Sequence, residues 1–467
     1  MTPGKAGLLY GADDTPPLPI LVLSAFQHIG LATTSLAYQV AIAREAGLTL
    51  HQTLDFISVG LLALGIGTVL ISAKSKFAGS GYLCPAGITP VYFGPAVLAV
   101  QRGGMALLFG MTMVAGLAQV ALAPLIGRLR ALLPTEIAGL VIAAIGLAVA
   151  SLGLRYSLGV TKEHGIQLSY VIVSATTLLV MIGLNIWTEG YLKAFCLLIG
   201  SAVGSLVSIA LGVSGPAASL AAEHFDFIRP PFSSHPGWQF DLSLLTPFIV
   251  AAIAGTLHLM GTISTAQRIN DPKWVRPNFR SLSGGLCGSG LATLCAGLAG
   301  SGGVDVYSPC VGLSDATRVT SRRIAYAMGV LLAVGSFFPI ASLKFVAVPD
   351  PIVGATLFFS AAFIFVNGLQ MITARMLDTR KTIVIGFSFS MLVLADAYKD
   401  VFATLPVLLQ PIFGTSLMLA TTCAVLLNAI MRIGVKRRAA THIDLTPNYR
   451  DVVAQFMTVQ GGHWGAR

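Results

Sequence analysis

The sequence predicts an all-α polytopic membrane protein of fourteen spans, arranged as two seven-span halves of opposite orientation. Three observations predict it. The first is composition: of 467 residues, 55% are hydrophobic and only 10% are charged, where a soluble domain carries roughly 25% charged residues. Mean hydropathy is +0.80, and a water-soluble chain of this length cannot hide that much apolar surface behind so few charges. The second is the sign of the connecting segments. The third is the loop at 214–245, the longest, which leaves seven spans on either side.

Residues 1–18 (MTPGKAGLLYGADDTPPL) read as a cytosolic N-terminal tail, since they lack the basic, apolar and small-residue succession of a cleaved signal. One span takes about 20 mostly apolar residues. Stretches bounded by charges, Gly or Pro place the first seven at 19–43, 52–73, 78–100, 104–127, 132–153, 166–187 and 190–213. The outer loop 214–245 follows. The second seven are 246–267, 281–299, 303–319, 324–346, 352–374, 381–397 and 405–432, and residues 434–467 form a cytosolic C-terminal tail. With the N-terminus inside and the spans alternating, 22 of the 29 Lys and Arg fall in inner segments and 7 in outer ones. Dropping or adding a span would scramble that asymmetry from that point on, so the positive-inside rule supports fourteen spans with both termini cytoplasmic. An odd number of spans per half turns the halves over relative to each other, as in the inverted repeats 19–213 and 246–433 expected of a secondary transporter.

The same charge pattern accounts for the net +10 without nucleic acid. The six cysteines all lie in apolar runs and none makes a CxxC, so neither disulfides nor a metal centre are expected. No GxxxxGK[ST], GxSxG or HExxH is present, and no cofactor or enzymatic activity is expected. Lys436, Arg437 and Arg438 read as a membrane-side anchor.

The third and tenth spans stand apart because Gly and Pro crowd their first halves. Ala78-Gly79-Ser80-Gly81 recurs as Ala299-Gly300-Ser301-Gly302, each at the third span of its half. A helix broken by Gly and Pro leaves main-chain N–H and C=O groups unpaired, and in hydrocarbon each costs several kcal/mol. Two such spans facing each other predict a polar site near the midplane, with helix N-termini aimed at a ligand. Tyr82 and Tyr307 occupy similar positions in the two broken spans, placed to stack on a planar solute. Glu136 opens span five in a favourable first-turn position, and Asp315 is expected to pair with Arg318 along one helical face.

These residues resemble the nucleobase–ascorbate transporter family, which includes the uracil and xanthine permeases. Its signature, [Gln/Glu/Pro]-Asn-x-Gly-x-x-x-x-Thr-[Arg/Lys/Gly], is met by Pro309-Cys310-Val311-Gly312 through Thr317-Arg318 at every fixed position except Asn, replaced by Cys310. Gln27-His28 is similar to the family's Gln-His of span one, and Gly79-Ser80-Gly81-Tyr82 to its Gly-Ser-Ser-Phe strand of span three. The resemblance covers roughly residues 18–433. It implies short strands in spans three and ten with substrate bound between them, a core of spans 1–4 and 8–11, and a gate of spans 5–7 and 12–14. It also implies a homodimer in which core slides against gate. His258 stands where the family has the Glu of a Glu-x-x-Gly pattern, and Pro309 where a Glu or Gln often stands.

The candidate substrate-binding residues are therefore Gln27, Gly81, Tyr82, Leu83, His258, Thr262, Ser308, Pro309 and Cys310, with His258, Asp305 and His28 as candidates for the coupling ion. His28 and His258 are the two of eight histidines placed inside spans, where a titratable group is costly and points to function. Two readings follow. One is a proton-coupled (or sodium-coupled) symporter of a nucleobase such as uracil, xanthine or urate in the cell membrane. The other is an anion transporter of the sulfate-permease type on the same architecture.

Overall fold

A computed structural model describes residues 8–75, 77–125, 135–160, 165–189, 191–213, 228–231, 235–271, 273–275, 277–373, 377–398 and 416–432. Residues 1–425 form one compact unit, which holds every site described below; 426–467 form a second, whose described residues are the helical 426–432. Residues 214–227 and 232–234 of the outer loop 214–245, the start of the last span at 405–415 and the C-terminal tail fall outside the described residues.

Helix α1 (Leu18–Ala32) and helix α2 (Leu36–Glu45) together fill the first expected span. A 3-10 turn over Thr33–Ser35 separates them. Its cause is local: Thr33, Thr34 and Ser35 donate their hydroxyls back to the carbonyls of Gly30, Leu31 and Ala32 at 3.2, 2.6 and 2.6 Å, and such back-bonding competes with the helical ladder. Helix α3 (Leu50–Ser72) opens with a capping box, Thr49 accepting from the Gln52 N–H and Gln52 from the Thr49 N–H.

Strand β1 (Ala86–Ile88) leads through a 3-10 turn at Pro90–Tyr92 into helix α4 (Phe93–Leu122). The backbone leaves the helical region at Gly103 (φ −146°, ψ 16°) and Gly104 (φ 70°, ψ −161°), which is where the sequence divides span three from span four. Helices α5 (Thr135–Leu158), α6 (Leu168–Trp187), α7 (Tyr191–Ala194) and α8 (Cys196–Ala210) follow.

The second half begins with α9 (Leu245–Asn270) and α10 (Phe279–Ala299), then strand β2 (Val304–Val306) and α11 (Ser308–Thr317). Next come α12 (Arg323–Gly335), α13 (Pro339–Val346), α14 (Asp350–Thr373), α15 (Thr379–Ala397) and α16 (Ser416–Arg432). Pro339 has no N–H to continue α12, so the eleventh expected span is two helices. Among the described residues, seven helical segments are long and apolar enough to cross a membrane, and the protein is a mostly helical, multi-pass membrane protein. Close helix contacts use glycine: a Cβ on Gly146 of α5 would sit 2.6 Å from the Phe365 nitrogen of α14, and one on Gly368 of α14 2.4 Å from the Ala143 nitrogen of α5.

The two interrupted segments meet. β1 and β2 pair antiparallel, with Ala86 opposite Val306, Gly87 opposite Asp305 and Ile88 opposite Val304. Several main-chain groups in and beside this short ribbon are taken by hydroxyls. Thr68 and Ser72 of α3 accept from the N–H of Ala86 and Cys84 at 3.0 and 3.1 Å, Ser35 accepts from Ile88 at 2.9 Å, and Thr293 donates to the Val304 carbonyl at 2.6 Å.

Four expectations are corrected. The strand of span three lies at Ala86–Ile88, not at Gly79–Tyr82: Gly79 and Gly81 have φ of 95° and 79°, incompatible with extended backbone. The two AGSG tetrapeptides are consequently not equivalent, since Ala78 precedes β1 by eight residues and Ala299 precedes β2 by five. Tyr307 follows β2 as Thr89, not Tyr82, follows β1. Asp315 and Arg318 are both exposed and no ion pair joins them among the described residues; α11 ends at Thr317 and Arg318 takes a left-handed φ of 58°.

Candidate functional site

α9 places His258 and Thr262 one turn apart, on one face. β2 places Asp305 in the middle of the ribbon, and α11 begins with Ser308. These four side chains converge. His258 Nδ1 lies 3.4 Å from Asp305 Oδ2 and Nε2 lies 3.0 Å from Ser308 Oγ. Ser308 Oγ lies 2.8 Å from Thr262 Oγ1. Asp305 is fully buried, while the His258 side chain keeps 29% of its surface exposed. A buried carboxylate needs donors, and Asp305 has them: the Ser289 hydroxyl at 3.1 Å and the Val306 N–H at 2.7 Å, besides His258.

Behind Asp305 the polar groups are not all satisfied among the described residues. The Tyr92 hydroxyl and the Gln119 amide are buried without hydrogen-bond partners. A Cβ built on Gly255 would lie 3.1 Å from Gln119 Nε2, 3.5 Å from Asp305 Oδ2 and 3.8 Å from the Tyr92 oxygen. Glycine at 255 thus lets Gln119, beside the Asp305 carboxylate, approach α9 more closely than a Cβ would readily allow. Ser289, Tyr92 and Gln119 were not singled out from the sequence; they lie on distant segments, and no spacing announces them.

The other sequence candidates lie elsewhere. His28 is fully buried between α1 and α11, with Nδ1 2.8 Å from the Ser24 carbonyl and Nε2 3.0 Å from Ser314 Oγ. Cys310 is buried beside it, Sγ 3.7 Å from the His28 carbonyl. Gln27 is half-buried and Pro309 exposed. The Gly81 carbonyl accepts from Arg322 at 3.3 Å, the Tyr82 N–H donates to Ser80 Oγ at 3.3 Å, and Leu83 is buried. None of these is hydrogen-bonded to the His258 group among the described residues.

The segment after α11 carries a second cluster. Asp13 bridges Lys74, at 3.1 Å, and Arg322. Main-chain bonds stitch the N-terminal segment to the same place: Leu9 donates to the Arg318 carbonyl at 2.9 Å and Thr320 to the Tyr10 carbonyl at 2.8 Å.

Among known proteins, the sequence profile of a permease family, the xanthine/uracil permeases, matches residues 20–401. The chain is 22% identical over 439 residues to the xanthine permease XanP of Escherichia coli K12, covering 91% of this chain and 94% of that one. It is 25% identical over 417 residues to the uric acid transporter UacT of the same organism, covering 87% and 85%. A nucleobase transporter of Paenibacillus larvae, PlUacP, is 23% identical over 421 residues, covering 89% and 96%. In fold, the chain is similar to the transmembrane domain of the cyanobacterial bicarbonate transporter BicA, with a TM-score of 0.56 at 15% identity, covering 90% of this chain and 99% of that one. The murine anion transporter solute carrier 26 family member A9, inward-facing, gives 0.53 at 11% identity, covering 90% and 69%. Matched over most of its length, the chain belongs to the xanthine/uracil permease family and is a membrane transporter, not an enzyme.

Proposed function

We propose that the protein is a secondary active transporter that carries a nucleobase, of the uracil, xanthine or urate class, together with a proton across the cell membrane. The observation that carries this reading is the cluster at the strand ribbon: a part-exposed histidine between a buried carboxylate and two hydroxyls. Histidine titrates near neutral pH, so His258 is suited both to bind substrate and to take the coupling proton in place of the family's glutamate. Sodium is the alternative coupling ion. Gln27, Gly81, Tyr82, Leu83, Pro309 and Cys310 complete the proposed binding set, with Asp305 and His28 as further coupling candidates.

The working architecture has fourteen spans in inverted repeats 19–213 and 246–433, with both termini cytoplasmic. A core of spans 1–4 and 8–11 slides against a gate of spans 5–7 and 12–14, in a homodimer. Names of relatives favour the nucleobase. The fold neighbours favour a second reading, a small anion held by a charged His258 and the α11 N-terminus.

The test is uptake into proteoliposomes of radiolabelled uracil, xanthine, urate, hypoxanthine and sulfate, each with and without an inward proton gradient. Base uptake that rises with the gradient and collapses in His258→Ala is expected. Sulfate uptake without base uptake would establish the second reading, and full rate and pH dependence in His258→Ala would remove His258 from both roles.

A further inference from the structure

The hydroxyls beside His258 have fewer hydrogens than neighbours, and their arrangement depends on the charge of the imidazole. A carboxylate accepts only, so the Nδ1 contact with Asp305 puts a hydrogen on Nδ1. Nε2 is then an acceptor when His258 is neutral and a donor when it is charged. In the neutral form the single hydrogen of Ser308 is committed to Nε2, 3.0 Å away. In the charged form Nε2 donates to Ser308 Oγ, and the Ser308 hydrogen is released. Within the protein it turns to Thr262 Oγ1 at 2.8 Å, whose own hydrogen goes to the His258 carbonyl at 3.1 Å. Every donor then has one acceptor, and no heavy atom has moved.

We infer that Ser308 is the residue through which protonation of His258 becomes affinity for substrate, by releasing its hydroxyl hydrogen to a carbonyl oxygen of the bound base. This rests on the reading of His258 as the proton carrier. A ligand oxygen competes with Thr262 for a hydrogen that exists only in the charged form, so proton and substrate favour each other's binding. The ligand edge that can take the released hydrogen at Ser308 is an oxo group, since an amino group of a base donates and does not accept it. The charged or titratable group facing the imidazole is Asp305 from β2, with Tyr92 beyond it; α9 and α11 contribute the hydroxyls Thr262 and Ser308.

The experiment uses the full-length protein in detergent, with two readouts. The first is equilibrium binding of radiolabelled uracil, which stays neutral over the range, between pH 5.5 and 8.5. The second is acylation of His258 by diethylpyrocarbonate over the same range, which reports the neutral imidazole and is followed by peptide mass spectrometry without substrate. Wild-type affinity is expected to fall about tenfold per pH unit above the His258 midpoint, the limit for one linked proton. Ser308→Ala is expected to flatten this to under about twofold per unit while His258 still titrates. Thr262→Val removes the acceptor for the released hydrogen, so the acylation midpoint is expected to move to lower pH.

A wild-type slope in Ser308→Ala, or an unmoved midpoint in Thr262→Val, overturns the inference. Absence of binding of uracil, xanthine, hypoxanthine and urate alike by the wild type overturns the functional reading and the ligand half of this one. The midpoint shift in Thr262→Val is independent of substrate and tells the two failures apart.

Discussion

Gly87→Ala tests the strand ribbon on which the site is built. The added Cβ would lie 2.7 Å from Tyr307 Cδ2 and 2.9 Å from its Cβ and Cγ, where ordinary contacts begin near 3.5 Å. Tyr307 would have to retreat by more than half an ångström, yet its hydroxyl is held 2.9 Å from Thr34 Oγ1 and its N–H by the Pro85 carbonyl at 2.8 Å. Overpacking of this kind costs about 1–3 kcal/mol, with about 1 kcal/mol more if the Thr34 bond breaks. The assay is the temperature of half-loss of the monodisperse peak in size-exclusion chromatography after heating. Gly87→Ala should lower it clearly. Tyr307→Ala removes two of the three nearest atoms, so in a double-mutant cycle it should recover about 1 kcal/mol of the Gly87→Ala loss. Additive losses, or a Gly87→Ala protein as heat-stable as the wild type, would refute the pairing of Gly87 with Asp305 beneath Tyr307.

Two further outcomes follow from the ion pairs. Glu136 of α5, 3% exposed, holds Lys381 of α15 at 2.6 Å, and Lys381 is 33% exposed. Lys381→Met takes the cation from a buried carboxylate and should be the more destabilising of the two, whereas Glu136→Gln leaves a lysine able to reach water and should cost less; equal thermal losses would count against this. Asp13 titrates below its ordinary 3.8: partial burial pushes its carboxyl up, but hydrogen bonds and charge from Lys74 and Arg322 outweigh it. A depressed carboxyl contributes stability above its unfolded value and loses it as pH falls through the folded one. Exchange protection of the Leu9 and Thr320 amides should therefore drop below about pH 4 and be reduced already at pH 7 in Asp13→Asn; protection unchanged in that variant would sink the role of Asp13.

The elements read most easily from sequence are those whose signal is local. The break in α4 falls at Gly103-Gly104, between the apolar stretches 78–100 and 104–127, and His258 announced itself as a titratable group in an apolar run. The strand of span three did not, because Ala86-Gly87-Ile88 is too short for any periodicity to register, and the more conspicuous Gly79-Ser80-Gly81 is a turn with two positive φ values. The Asp315–Arg318 pairing assumed a helix that continued; it stopped one residue too soon. Asp305 was legible as a residue but not as a partner of His258. That contact joins residues 47 apart in sequence, and Ser289 joins from a third element.

A ribbon three residues wide cannot stand in an apolar interior on its own six main-chain groups per strand. Its survival depends on side chains that look unremarkable in sequence: Thr68 and Ser72 one turn apart on α3, Ser35 on the turn after α1, and Thr293 on α10. Replacing the three acceptors by apolar residues would leave three buried N–H groups unpaired, at about 1–3 kcal/mol each, a sum comparable to the whole stability of a typical domain. The hydroxyl positions are thus fixed by the ribbon and not by a ligand. That separates two kinds of polar residue in one small volume. Those on α3 and α10 that bond main chain are scaffold. His258, Ser308 and Thr262 bond one another through side chains that can exchange hydrogens without moving the backbone. Only the second kind can respond to a proton while the scaffold stays still, and that is the physical ground for the proposed role of His258 and Ser308.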